Sequence, residues 1–301
     1  MLKLKFVFVI AALCLFNAAH SQDTTDLMTP LEQEVSEQDK NNINYTTATF
    51  KTTRLVNGHT VENVGKGVLD FKISHRFGKV NGGGYNLFGL DNATMRMGFD
   101  YGITNRFMVG IGRSTFEKTY DAFLKIKLLR QSTGNKNMPL TVSYVPTVAL
   151  KTLRPVDPAN KNYFSSRLYF THQLIIGSKL SEQTSIQLMP TYSHRNLVTL
   201  ASESNDLIAI GIGGRQKLSK RVSLNAEYYY QLPDYKLTNT TNSLSIGFDI
   251  ETGGHVFQLH LTNSQGMSER TFLTETTGKW GKGDIFFGFN ISRVFTIGKR
   301  G

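Results

Sequence analysis

The sequence predicts an all-β protein: an antiparallel, up-and-down transmembrane β-barrel of about twelve strands. Three observations carry this. Long segments alternate between apolar and polar side chains, the connections between them alternate between tight and long, and the chain opens on an export signal. The stretch "IFFGFNISRVFTI" (285–297) shows the first of these. Ile285, Phe287, Phe289, Ile291, Phe295 and Ile297 share one face, broken by Arg293, and Phe286, Gly288, Asn290, Ser292, Val294 and Thr296 share the other. Successive strand residues point to opposite faces, so one side of this segment is apolar and the other small and mostly polar.

Residues 1–21 read as a secretory signal peptide, with Lys3 and Lys5 at the start, an apolar run from Phe6 to Phe16, and Ala19-His20-Ser21 before the cleavage point. The run is too short for a membrane-spanning helix. Cys14 is a poor lipoprotein anchor, because bulky Leu13 precedes it and it lies inside the apolar run. Cleavage after Ser21 removes the only cysteine, which leaves an exported chain without disulfides. No later stretch approaches the ~18 consecutive apolar residues of a transmembrane helix.

The net charge of +11 is unevenly spread. Residues 22–43 carry net −5 and read as an acidic, flexible leader, which leaves +14 on the body beyond it. A basic body suits anionic lipid headgroups or an anionic solute, and the export signal argues against nucleic acid. Residues 44–66 are a β-prone segment around Asn57-Gly58, a hairpin signal, and are read as a plug or an extra hairpin.

The barrel is assigned to 67–301, with strands near 67–78, 92–103, 107–115, 120–131, 138–152, 167–180, 184–197, 206–219, 222–232, 243–252, 255–264 and 284–297. Soluble strands are typically about 5–6 residues long, whereas a tilted strand needs roughly 9–11 to cross a bilayer. Tight connections follow strands two, six, eight and ten, and longer ones follow strands one, five, seven, nine and eleven. Barrels of the bacterial outer membrane have this asymmetry, with short periplasmic turns and long external loops. Phe116–Thr119 and Ser132–Asn137 fit the alternation poorly. Pro146 and Pro190 fall inside strands and are expected at bulges or at the membrane interface.

One face collects residues such as Leu69, Phe71, Ile73, Met97, Phe99, Ile210, Phe248 and Leu259, and is expected to meet lipid. The other supplies the lumen-lining candidates Asp70, Lys72, Arg76, Arg96, Asp100, Lys125, Lys127, Arg215, Glu227, Asp249 and Glu251. Gly110, Gly112, Gly211 and Gly213 fall on that inner face, where they give room rather than bind phosphate, since no helix follows them. Tyr228 and Tyr230 suit an interfacial aromatic girdle, and His75 and Arg293 are placed near the headgroups.

Five stretches, "TATFKTTRLVNGHTVE" (47–62), "GKGVLDFKISHRFGKVNGG" (65–83), "MGFDYGITNRFMVGIGRS" (97–114), "RVSLNAEYYYQLP" (221–233) and "SLSIGFDIETGGHVFQLHLTNSQGMSERTFLTET" (243–276), resemble an uncharacterised Bacteroidota family of outer-membrane β-barrels, domain of unknown function 5777. The resemblance runs over nearly all of the chain after residue 45. It implies an outer-membrane barrel and brings no catalytic residues, cofactor or ligand.

Function is therefore read from the lumen. A polar, charged inner face points to a narrow channel or binding barrel for small polar or anionic solutes, with Arg76, Arg96, Lys125 and Lys127 attracting negative groups. The alternative is a closed structural or partner-binding barrel, with outer-membrane lipid around it and a periplasmic or envelope protein as partner, the loop 265–284 and its Trp280 being one contact surface. A third reading, a lipid hydrolase, would use His260 with Thr262 on the same strand face, but threonine replaces the expected serine and both point into the lumen. The histidines form no close same-face pair of the kind zinc needs, and no cofactor is expected.

Overall fold

The computed structural model describes residues 42–154, 163–198 and 203–297. The predicted signal peptide and almost all of the acidic leader lie outside these residues.

A short strand β1 (Ile43–Tyr45) opens the described chain, followed by β2 (Val68–Lys79), β3 (Ala93–Gly102), β4 (Phe107–Ser114), β5 (Thr119–Leu129), β6 (Ser132–Gly134) and β7 (Thr141–Lys151). Then come β8 (Leu168–Lys179), β9 (Thr184–Arg195), β10 (Asp206–Lys217), β11 (Val222–Gln231), β12 (Ser243–Thr252), β13 (His255–Thr262), a short helix α1 (Glu269–Thr274) and β14 (Phe286–Thr296). Twelve of these strands, all but β1 and β6, pair antiparallel with their chain neighbours, and β14 closes onto β2. Closure leaves no edge strand, so every ladder group can be satisfied within lipid.

The alternation sets the radial position of each side chain. In β10, Ile208, Ile210 and Ile212 point outward while Leu207, Ala209, Gly211 and Gly213 point in. Phe99, Ile111, Leu124, Phe248 and Leu259 are exposed on the outer wall, while Asp70, Arg76, Arg96, Lys125 and Glu227 are buried inside it. A wall that exposes its apolar side chains and buries its charges is inverted relative to a soluble protein, and lipid is the solvent that suits it.

The two ill-fitting connections are now explained. Residues 115–118 form a tight turn on the long-loop side, and 130–140 lie on the short-turn side, where β6 pairs with β1 and so fixes the entering chain to that rim. The prolines do not behave as expected. Pro146 and Pro190 sit mid-strand, and neither makes a bulge. Register is kept across Pro146 from Phe123↔Thr147 to Ile126↔Tyr144, with the bridges between them missing. Pro190 likewise interrupts β8–β9 while pairing with Ile210 on its other side. A missing N–H costs local ladder bonds, and neighbouring pairs on both sides hold the register.

His75 lies within β2 toward the long-loop end, between Phe289 and Met95 in register, and stacks on Phe289 at 4.9 Å. Arg293 falls at the short-turn end, opposite His255. Finally, the all-β expectation misses one short element: α1 forms between β13 and β14 and is buried.

Candidate functional site

The interior of the barrel is filled from both ends. Residues 46–66 enter from the short-turn rim, run up the lumen, reverse at Val56-Asn57 and return to β2. Cross-links from Leu55 N to Gly58 O (2.8 Å) and from Thr60 N to Thr53 O (3.0 Å) make this segment a hairpin. From the opposite rim, the chain after β13 folds inward, and α1 meets the hairpin tip.

Glu227 of β11 organises the tip. Its carboxylate accepts the backbone N–H groups of Asn57 (2.7 Å), Gly58 (3.1 Å) and Val56 (3.3 Å). Arg76 of β2 holds the other side, donating to Asn57 Oδ1 (2.9 Å), to the Ser264 and Gly266 carbonyls (2.7 and 3.0 Å), and to His260 Nε2 (2.9 Å). Gly58 is not in the left-handed region that an Asn-Gly turn usually uses. The glycine serves close approach instead, because a Cβ there would fall 1.9 Å from the Tyr229 hydroxyl oxygen. Gly58→Ala is therefore expected to displace the tip and raise hydrogen exchange across 54–60, and Tyr229→Phe in the same chain should recover part of the protection. Unchanged exchange in the single variant would show the tip is not held against Tyr229.

The remaining lumen candidates engage the hairpin or each other. Lys125 is fully buried and donates to three hairpin carbonyls, those of Thr53 (3.0 Å), Thr60 (3.0 Å) and Glu62 (2.9 Å). Three acceptors for three ammonium hydrogens satisfy it without a carboxylate. Arg215 reaches the carbonyls of Ala48 (3.0 Å) and Thr49 (3.1 Å), and Lys127 faces Glu62 at 3.9 Å. Lys72 pairs with Asp70 (3.1 Å) and Asp100, and Thr53 of the hairpin donates to Asp100 (2.9 Å). Arg96 forms a bidentate pair with Asp121. Gln258 bridges Asp249 and the Leu55 carbonyl, both at 2.6 Å, and Glu251 meets Lys51 at the short-turn mouth.

Asp121 was not among the sequence candidates, although it shares the parity of Lys125 and Lys127 and was legible from them. Arg54 and Glu269 were not legible. They join hairpin to α1 by an Nη1–Oε1 contact of 2.6 Å, and both side chains are buried. Nothing in local sequence pairs residues 215 positions apart.

The lumen also has an apolar half. Leu55 and Val61 of the hairpin pack in one buried cluster with Met108, Phe123, Val145, Ile175, Met189, Tyr229, Phe272 and Leu273. Gly213 makes the seat for Leu55, since a Cβ there would meet Leu55 Cδ2 at 2.4 Å. Opposite, along β13, β14 and β2, the contact is polar and looser. A cavity of about 380 Å³ opens toward the short-turn rim, lined by Lys51, Glu62, Asn63, Asp70, Glu251 and Ser292. Above it, a gap of about 20 Å³ between the hairpin and Ser74, Gln258 and Asn290 is closed by Met267. That space holds about one water.

The hydrolase geometry is not assembled. His260 Nε2 is occupied by Arg76, and the Thr262 hydroxyl bonds the Ser245 hydroxyl (2.9 Å), so no base faces a nucleophile. The loop proposed as a contact surface is also largely engaged. Residues 263–276 are in the lumen, and Trp280 Nε1 donates to the Leu244 carbonyl (3.2 Å) at the rim. Arg270 of α1 anchors this loop to Glu117 and Glu275, over the Tyr169 ring at 4.2 Å. No group of three or more His, Cys, Asp or Glu suited to a metal ion occurs among the described residues.

Glu117, Arg270 and Glu275 lie outside the strands. Burial pushes the Glu275 carboxyl up to about 7, assisted by Glu117 and opposed by Arg270. A raised carboxyl pKa means that the folded loop binds more protons than the unfolded one between about pH 4.5 and 7, so its stability falls across that window as pH rises. The protection factors of the amides in 269–276, exchange measured relative to the intrinsic rate at each pH, are expected to fall over that range and to lose this dependence in Glu275→Gln. A pH-independent wild-type loop would refute the linkage.

A closed twelve-stranded antiparallel barrel with a lipid-facing apolar wall and a lumen filled by its own chain defines an integral outer-membrane β-barrel. The chain belongs to the membrane bound beta barrel domain family (DUF5777), whose model matches residues 50–295. That span includes the lumenal hairpin from Phe50 onward as well as the wall. No relative among curated proteins matches the chain. Solved structures similar to it include the KdgM porin, at 8% identity and TM-score 0.44 over 76% of this chain and 99% of that one. The COG4313 outer membrane channel from Pseudomonas putida F1 gives 13% identity and TM-score 0.45 over 78% and 98%. Omp33 of Acinetobacter baumannii gives 9% and 0.40 over 75% and 97%. Nothing about solute or mechanism passes from these to this chain.

Proposed function

We propose that this protein is a plugged outer-membrane barrel, closed at rest, whose conducting form arises when the 46–66 hairpin leaves the lumen toward the periplasmic, short-turn rim. Small polar solutes would then pass, with a modest preference for anions. The observation that carries this reading is the way the wall cations are satisfied. Lys125 and Arg215 rest on hairpin carbonyls and Lys127 on hairpin Glu62, so withdrawal strips all three of partners. Glu227, Glu269 and, at the mouth, Glu251 are the acids that lose theirs, while Asp70, Asp100 and Asp121 keep Lys72 and Arg96. Arg76 bonds carbonyls and His260 rather than a carboxylate, which adds a fourth cation against these three acids.

Magnitudes argue against spontaneous opening. The hairpin buries Phe50, Leu55, Val56, Val61 and Val64. At about 1.5–3 kcal/mol per side chain, roughly 8–15 kcal/mol of apolar burial opposes withdrawal, offset in part by the chain entropy that the released hairpin regains. Opening therefore needs a partner or ligand acting on the N-terminal segment, and the rim pinned by β1 and β6 is where such a partner would pull. The test is planar-bilayer conductance of residues 22–301 beside the same chain lacking 22–66. A second reading, a permanently closed partner-binding barrel, is favoured by the apolar half of the lumen and predicts silence from both.

A further inference from the structure

We infer that the outer wall carries a specific binding furrow for one outer-leaflet lipid that bears a phosphorylated headgroup. Two apolar depressions on β3–β5, β7 and β8, of about 520 and 320 Å³, share Ala122 and Val148 and so form one continuous groove. Register explains the depression. Phe99, Ile111, Ala122, Val148 and Phe170 lie in one row across five strands, and Ala122 is the small residue between larger neighbours. The row above runs Met97, Arg113, Tyr120, Leu150 and Leu168, at the long-loop end. The groove ends below at Pro146 and His172.

From Leu150 to Pro146 is four residues, about 14 Å along the strand and about 10 Å of depth at a tilt of ~40°, or roughly a third of a ~30 Å hydrocarbon core. The furrow thus takes the upper part of an acyl chain entering from one leaflet, the external one if the long loops face outward. Its upper end is cationic. Arg113 donates to the Tyr120 hydroxyl (3.1 Å) and lies 5.4 Å over that ring. Phe164 overhangs the groove, with Arg167 at 5.8 Å from its ring. Among the described residues, no carboxylate pairs with either arginine, and Arg113 commits only its Nε, to Tyr120, so charge on both remains available to a phosphate. An apolar furrow open to lipid and topped by unpaired arginines selects a phosphorylated lipid over a zwitterionic one and over a second barrel.

Native mass spectrometry of delipidated full-length protein, titrated with bis-phosphorylated lipid A or with phosphatidylethanolamine, tests this. One lipid A per barrel is expected, bound at least tenfold more tightly than phosphatidylethanolamine. Ala122→Phe should lose it by tenfold or more, and Arg113→Gln should abolish the preference, with both variants keeping the heat-modifiable gel mobility of a folded barrel. Equal affinity for the two lipids, retention unchanged in Ala122→Phe, or a barrel dimer that Ala122→Phe disperses would each overturn the proposal.

Discussion

Removal of residues 22–66 is expected to turn a silent barrel into a conducting one. In the intact chain the hairpin fills the apolar half of the lumen and the remaining gap beside β14 is about 20 Å³, too small for a continuous water column. Ion passage needs connected water, so steady current from the intact protein would contradict the closed state. After deletion, the freed Lys125, Lys127 and Arg215 should give anion preference, and Lys125→Gln with Lys127→Gln should reduce it. Deletion also removes many buried contacts, so a folded barrel must be shown by its heat-modifiable mobility. A second route leaves the wall intact: Leu55→Asp with Val61→Asp in the full chain makes docking of the hairpin unfavourable, because each buries an unpaired carboxylate. Silence from both folded variants would leave the permanently closed barrel as the reading.

The next largest effect is expected at the contact between the two lumenal segments. Glu269→Ala leaves the Arg54 guanidinium buried without its carboxylate, and Arg54→Ala does the reverse. Breaking one side of a buried pair costs about 3–5 kcal/mol, while removing both costs less than the two losses added together. His59 belongs to the same cluster, with Nε2 3.4 Å from Glu269 and its ring 4.3 Å from Phe123. Denaturant unfolding and amide exchange at 54–60 and 269–274 should move together in each single variant. Exchange that rises in only one segment would show that hairpin and α1 are held independently.

All twelve wall strands were legible because lipid outside and polar filling inside impose a period of two on every strand, and that period survives in local sequence. The inward positions of Lys125, Glu227 and Asp249 follow from the same parity, and so would that of Asp121. Partners were not legible. Parity shows that Glu227 points inward, but not that it grips the N–H groups of residues 56–58, since backbone donors leave no mark in the sequence. The Asn57-Gly58 pair signalled a hairpin, yet its glycine is required by Tyr229, a residue distant in the chain. The prolines misled for a related reason: their cost was absorbed by ladder bonds on flanking strands.

By itself, then, the sequence determined the fold class, the strand positions and which side chains meet lipid, because each depends on local alternation and on the solvent of each face. Only the tertiary structure decided that the lumen is filled by the protein's own hairpin and loop. That outcome depends on burial of Leu55 and Val61 against a distant wall, and on the meeting of Arg54 with Glu269. These are contacts between segments far apart in the chain, with no period to announce them.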